Sequence, residues 1–293
     1  MLSKVLVLTT LALFVAGTAG ADVICHDGFA DPPYKAGSGA GYLDTFLNGG
    51  TGWSDDHWAT AGGGMQFEEL VDPGMTYTGM ATTGLYVRTR NREGLRAFRA
   101  ADLGAEGDVF WLACLASVTK NDLARMVQVR DASNSAVLEF EAEEAADYTW
   151  HVKIPGDGST VDVDTGADIG NVTLLLTRPE YGAGTVTVTA WVGDALDLGD
   201  GSADEPVSAP IDLNGADPGS SVEVSAFGIA RWFFDNNKKA SSYINVDEFR
   251  ITQVGDGQTS GEAYQELLTI PEPCTLMVLG LGGLGLLIPR RRC

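Results

Sequence analysis

Three glutamates alternate in the stretch LEFEAEE: Glu139, Glu141 and Glu143. On a β-strand that spacing sends all three carboxylates to one face and Leu138, Phe140 and Ala142 to the other. Two carboxylates held about 5 Å apart can cleave a glycosidic bond with retention, one as nucleophile and the other as acid/base. No aromatic pair flanks the stretch to form a sugar platform. The pattern therefore reads first as a solvent-facing strand with its apolar side packed inward, and a glycoside hydrolase using Glu139, Glu141 and Glu143 is the alternative.

Calcium chemistry has two candidate sources. Asp162 and Asp164 in VDVDTGAD, or Asp197, Asp200 and Asp204 in DLGDGSADE, could present hard oxygen ligands from loops. Neither run has EF-hand spacing, and Asx turns, in which Asp accepts bonds from its own loop backbone, account for both equally well. No other cofactor is indicated. Trp53 and Trp58, with Tyr34 and Tyr42 nearby, could stack on a glycan from a glycine-rich loop, although Trp53 also suits an edge plug of a sandwich. His26, His57 and His151 lack the H-E-x-x-H context of a zinc protease, and no G-x-S-x-G elbow is present. Gly280 to Gly285 spell a bare G-x-G-x-x-G. The chain ends in arginines directly after it, with no following helix or acidic residue, so dinucleotide binding is excluded.

The elements that would carry these groups are strands. DVFWLACLASV, ARMVQVRD, AVLEFEAE, YTWHVKI, NVTLLLT, GTVTVTAWV, VEVSAFGIAR and YINVDEFRIT follow one another between Val109 and Thr252. In GTVTVTAWV, Val186, Val188, Ala190 and Val192 alternate with Thr185, Thr187, Thr189 and Trp191. Pro-, Gly- and Asp-rich turns separate the strands, and no helical period stands out before the C-terminal tail. The fold class expected is all-β, a two-layer sandwich or jelly roll. Cys25 and Cys114 sit in strand-like contexts, and either a disulfide or two buried thiols suits them.

The chain carries 40 Asp+Glu against 19 Lys+Arg, a net charge of −21. That excludes duplex nucleic acid as partner, because phosphate binding needs clustered Lys and Arg. It also disfavours anionic lipid surfaces. Hydrophobic content of 44% suffices for a packed core.

Both ends carry transport chemistry. Lys4, the apolar run Val5 to Val15 and the small-residue site Ala19-Gly20-Ala21 read as a secretory signal peptide cleaved after Ala21. At the other end, TIPEPCTLMVLGLGGLGLLIPRRRC joins Pro271-Glu272-Pro273 to an uncharged run from Cys274 to Ile288 and then to Arg290, Arg291 and Arg292. The run is short for the ~30 Å hydrocarbon core and is weakened by four glycines. The arginines would hold its end on the cytoplasmic side. A transient membrane stop fits better than a permanent anchor.

This tail resembles the PEP-CTERM sorting signal. The resemblance implies processing by an exosortase, a membrane-embedded cysteine protease, after export by the Sec machinery. Pro271, Glu272 and Pro273 would be the recognition motif and Arg290 to Arg292 the topological stop. A second resemblance covers roughly Asp27 to Thr252. HDGFADPPYKAGSGAGYLDTFLNGGTGWS, DPGMTYTGMATTGLYV, NVTLLLTRPEYGAGTVTVTAWV and YINVDEFRI are similar to segments of concanavalin A-like (laminin-G-like) jelly-roll domains found in PEP-CTERM proteins. Such domains often hold one calcium. Jelly-roll glycosidases also use an alternating carboxylate strand, from which this chain departs by Glu141 where Asp is usual.

The organisation expected is residues 1–21 signal peptide, 22–253 β-sandwich, 254–269 polar spacer and 270–293 sorting tail. The function expected is a structural or adhesive component of the cell surface or extracellular matrix with weak polysaccharide binding, reached through an inner-membrane intermediate. A calcium-dependent lectin is a further alternative. Glu272→Ala, or deletion of Arg290 to Arg292, should leave the protein membrane-trapped or misrouted. Fractionation with intact-mass measurement checks this, and wild-type delivery of both variants would refute it.

Overall fold

The computed structural model describes residues 23–28, 41–42, 59–61, 66–82, 84–90, 96–100, 107–119, 125–130, 136–142, 148–154, 161–183, 186–212, 231–236 and 243–269. Within them lie fifteen strands. The first six are β1 Val23–Asp27, β2 Gly41–Tyr42, β3 Ala59–Ala61, β4 Gln66–Val71, β5 Tyr86–Arg90 and β6 Arg96–Ala100. The long middle strands are β7 Phe110–Thr119, β8 Arg125–Arg130, β9 Ala136–Ala142, β10 Thr149–Ile154 and β11 Val161–Asp168. Then come β12 Thr173–Tyr181, β13 Val186–Gly193, β14 Arg231–Asn236, β15 Tyr243–Gln253 and one helix, α1 Ser260–Thr269.

The strands form two antiparallel sheets. The first runs β13-β12-β7-β15-β5-β4-β2, with β1 also paired to β15. The second runs β11-β10-β9-β8-β14-β6-β3. The last strand in the chain is thus central to its sheet, flanked by β7 on one side and by β5 and β1 on the other.

Alternating positions from both sheets fill the space between them. Leu112, Cys114, Ala116, Leu175, Ala190 and Val246 from the first sheet meet Val127, Leu138, Phe140, Trp150 and Val152 from the second. As the alternation in GTVTVTAWV indicates, Val188, Ala190 and Val192 belong to this core. The other side of β7 is apolar too, because a second core covers it. Trp111, Ala113 and Leu115 join Leu174, Leu176 and Trp191 beneath α1, which contributes Ala263, Tyr264, Leu267 and Leu268. Trp111 stacks on Trp191 with centroids 5.4 Å apart and lies 4.9 Å from the Tyr264 ring.

The stretch 254–269 is therefore not a polar spacer, and the folded body continues to Thr269. The helix begins at a capping box: Glu262 N–H donates to Thr259 Oγ1 at 3.2 Å, and Thr259 N–H donates to Glu262 Oε2 at 2.8 Å. Its apolar side chains fall at i, i+1, i+4 and i+5, a single stripe. Trp111 Nε1 donates to Ser260 O at 2.9 Å, and Tyr264 Oη donates to Leu198 O at 3.1 Å.

Arg250 closes the far end of the helix from a fully buried position on β15. Its Nη1 donates to Leu267 O at 2.8 Å and Leu268 O at 3.3 Å, and its Nη2 donates to Ala81 O. Glu248 Oε2 supplies the counter-charge, 2.6 Å from Nη2, and also accepts from His26 Nε2 at 3.1 Å. Glu248 can make these bonds because β15 bulges between Asp247 and Arg250, with Glu248 at φ 53°. Asp247 turns to the loop instead, where Oδ2 accepts from Met75 N–H at 2.8 Å. Burial first, then the charge of Glu248, push the Asp247 carboxyl well above its usual range. For Glu248, burial acts upward but is outweighed by the His26 hydrogen bond and the Arg250 charge, which hold it low.

Cys25 and Cys114 are buried and form no disulfide with each other. They lie on β1 and β7 with β15 between them and are offset along the strands, so two strand spacings, about 9–10 Å, is the least their backbones can be apart. That exceeds the reach of a disulfide. Among the described residues no helix is long and apolar enough to cross a membrane. The expected leader and the sorting tail lie outside the described residues.

A chain ended after Val254 should lose the four buried side chains of α1, roughly 5 kcal/mol of apolar burial and a large share of a typical domain's stability. One ended after Thr269 should match the longer protein. Urea unfolding of both chains measures this, and equal midpoints would restore the spacer reading.

Candidate functional site

The second sheet presents its outer face in the same alternation that builds the core. On β9, Leu138, Phe140 and Ala142 are buried between the sheets, so Glu139 and Glu141 stand on the outer side. On β10, Trp150, Val152 and Ile154 face in, which leaves His151 and Lys153 outward. Gln128 takes the corresponding place between Val127 and Val129 on β8. On β11, Asp162 and Asp164 are exposed while Val161 and Val163 pack against the core.

Strand register sets these groups side by side. One rung runs Gln128, Glu139, Lys153 and Asp162, and the next runs Met126, Glu141, His151 and Asp164. In backbone register the first rung continues to Phe233 on β14 and Phe98 on β6. Directly opposed residues of antiparallel strands share a face.

The polar groups are linked both along a rung and diagonally between the two rungs. Gln128 Nε2 donates to Glu139 Oε1. Lys153 Nζ lies 2.7 Å from Glu141 Oε2 and 3.3 Å from Asp162 Oδ2. Asp162 Oδ1 lies 2.8 Å from His151 Nδ1. The Glu141 and Lys153 side chains are only 11% and 13% exposed, against 42% for Asp162. Glu141 is thus buried rather than solvent-facing, with the Lys153 ammonium against its carboxylate. Glu143 lies outside the described residues.

This arrangement is a ladder of hydrogen-bond donors and acceptors. The two described glutamates do not stand as an open carboxylate pair. Glu139 takes the Gln128 amide, and Glu141 takes the Lys153 ammonium.

The expected calcium residues divide differently. Asp162 and Asp164 lie on the edge strand β11 and not in a loop. Asp164 Oδ1 accepts from Gly166 N–H at 2.9 Å. That bond, followed by one from the Thr149 side chain, holds its carboxyl below the usual range. Asp197 and Asp200 form Asx turns, accepting from Gly199 N–H at 3.0 Å and Ser202 N–H at 3.1 Å. Among the described residues no group of three or more His, Cys, Asp and Glu is placed to hold a metal ion.

Several expected site residues lie outside the described residues: Trp53, Trp58, Tyr34 and His57, the cleavage residues Ala19 and Ala21, and the sorting residues Pro271, Glu272, Pro273, Arg290, Arg291 and Arg292. Gln128, His151 and Lys153 were not singled out as a site in the sequence. The signal was there in TWHVKI, whose polar positions alternate as those of LEFEAEE do.

No family model matches the chain, and no curated protein matches it. Among solved structures, the calcium- and Man3GlcNAc-bound exoplasmic/lumenal domain of VIP36 is 14% identical, covering 68% of this chain and 83% of its own, with a TM-score of 0.38. A cellulose-induced protein, Cip1, is 11% identical over 78% of this chain and 95% of its own, at 0.40. The lectin UEA-II complexed with galactose is 10% identical over 74% and 98%, at 0.38. At such values they assign no residue and no ligand here.

Removing the Lys153 ammonium takes away the cation 2.7 Å from the covered Glu141 carboxylate. Lys153→Met should therefore cost about 1–3 kcal/mol, less than a fully buried pair because some solvent reaches it. Adding Glu141→Gln should recover much of that loss. Denaturant unfolding of the two single variants and the double variant gives the coupling, and strictly additive effects would show that the pair does not interact.

Proposed function

We propose that this protein is an exported, exosortase-processed component of the cell surface or extracellular matrix, built on a concanavalin A-like jelly roll that binds polysaccharide without cleaving it. The observation that carries the binding reading is the double rung on the outer face of the second sheet. Gln128, Glu139, Glu141, His151, Lys153 and Asp162 offer alternating amide, carboxylate, imidazole and ammonium groups along successive strands.

A sugar chain lying across strands meets such groups at strand spacing, about 4.8 Å, and each hydroxyl can donate to one group and accept from another. The same geometry speaks against hydrolysis. A retaining mechanism needs one carboxylate free to attack and a second to protonate the leaving oxygen, and here both described glutamates are held by neighbours.

The sorting part of the reading rests on the tail sequence alone. Surface delivery would place this face where extracellular polymers are met, and the strongly acidic composition supports solubility there.

Affinity electrophoresis through gels containing a neutral polysaccharide tests the binding. Glu139→Gln and Asp162→Asn should each reduce retardation, by about five- to tenfold in apparent Kd, on the order of 1–1.4 kcal/mol for a charge-assisted hydrogen bond. A reducing-sugar assay on the same polymers should stay at background. Release of sugar that disappears in Glu139→Gln would establish the hydrolase instead. Undiminished retardation in both variants would move the binding site away from this face.

A further inference from the structure

We infer that the loop 73–84 is the surface this body turns toward lipid headgroups while its tail is held in the bilayer, an inference that rests on the sorting reading of the tail. The loop is fastened to the end of α1 from which the tail departs. Ala81 N–H donates to Leu268 O at 2.9 Å, and Arg250, which bonds Leu267 O and Leu268 O, also donates to Ala81 O. Thr269, the last residue of the helix, is exposed.

The tether beyond it is short. Ile270, Pro271, Glu272 and Pro273 alone separate Thr269 from Cys274, where the uncharged run begins. Fully extended, those steps span at most about 17 Å. A domain of this size has a radius of gyration of about 18 Å, so the tether is too short to pass round the body from its far side. The end of α1 must therefore lie on the side of the body that faces the bilayer.

Charge is distributed to match. Between Asp72 and Arg88 the chain carries no charged residue, in a protein of net charge −21. The exposed residues of this loop include Pro73, Thr76, Thr78, Gly79 and Ala81, all small or neutral. The acidic groups gather toward the other end of the helix. The loop 194–205 carries Asp194, Asp197, Asp200, Asp204 and Glu205 with no Lys or Arg, and Glu205 meets Arg178 at 3.1 Å. Asp204 lies against Gly261 in the first turn of α1, and Glu262 and Glu266 line a crevice with Ser202 and Asp204 on this acidic side.

The ten-residue helix is about 15 Å long, more than the Debye length of about 10 Å at 0.1 M salt. With the tail end toward the bilayer, neutral side chains meet the anionic headgroups, and the carboxylates of the acidic loop stand back from a surface that would repel them. The body can thus be held close to a membrane that its overall charge disfavours.

The test uses the exported chain, Asp22 to Cys293, synthesised in the presence of phosphatidylcholine vesicles with and without phosphatidylglycerol. A fluorescent side chain replaces Thr76 or Ser202, both exposed, and the lipid headgroups carry a quencher. The probe at Thr76 should be quenched at least threefold more than the probe at Ser202. Thr78→Asp should roughly halve the quenching at Thr76 on the anionic vesicles and leave it unchanged on the neutral ones, and 0.5 M salt should restore it. Thr78→Asn, which adds no charge, should behave as wild type. Should Thr78→Asp fail to fold, the two probe positions on the unaltered body decide alone. Equal quenching at both positions, in a chain that floats with the vesicles, would overturn the inference and leave the sorting reading intact, as would Thr78→Asp behaving like Thr78→Asn. Protection of the loop only when the membrane-embedded processing protease is present would assign this surface to that protein and overturn the lipid assignment. A chain that does not float with the vesicles would remove the sorting reading and the inference with it.

Discussion

Arg250 exposes no surface, yet its guanidinium ties together a helix, a loop and its own strand. It bonds the last carbonyls of α1 at Leu267 and Leu268, the loop carbonyl of Ala81 and the carboxylate of Glu248 on its own strand. A buried guanidinium is tolerable only when its donors are met and its charge is balanced. The requirement falls on everything around it. The bulge at Glu248 brings the counter-charge round, His26 on β1 supports that carboxylate from the other side, and the helix must end where its free carbonyls meet Nη1. The cation also lies where the negative end of the helix dipole favours it. The helix in turn covers Trp111, Trp191, Leu174 and Leu176, which would otherwise be an apolar sheet face open to water.

Much of this was legible in the residues and some was not, for identifiable reasons. Strands β7, β8, β9, β10, β13 and β15 lie where alternation or continuous apolar runs placed them, since side-chain period alone separates core from surface there. β11 is hard to read because VDVDTGAD turns only valines, a threonine and an alanine inward and sets aspartates and a glycine outside, so it reads equally well as a loop. The helix escaped for another reason. Ten residues give fewer than three turns, and a polar outer half lowers the average hydropathy to that of a linker. Its start was nonetheless written as Thr259-Ser260-Gly261-Glu262, the spacing of a capping box. The register of the outer face could not be read at all. Opposing Glu139 to Lys153 and Gln128 requires knowing which strands are neighbours, and that comes from packing.

The two sheets put the same alternation to different uses. On the first sheet the outward side of β7 and β12 is apolar and capped by a helix. On the second the outward side is charged, with each described carboxylate on β9 already met by a neighbour. A strand of alternating glutamates is thus compatible with an open catalytic pair or with a cross-linked polar surface, and only the adjoining strands distinguish them. Here Gln128 and Lys153 link Glu139 and Glu141 to the strands on either side.

The position of β15 has a consequence for how the molecule comes into being. Residues 243–253 pair with β7, β5 and β1 at once, and β1 starts at Val23. The sheet therefore cannot be assembled progressively as the chain is made. Its middle stays vacant until residues 243–253 arrive, with the contacts of greatest sequence separation formed last and slowly. Until then β7, β5 and β1 each lack the neighbour that completes their hydrogen-bond ladder on that side.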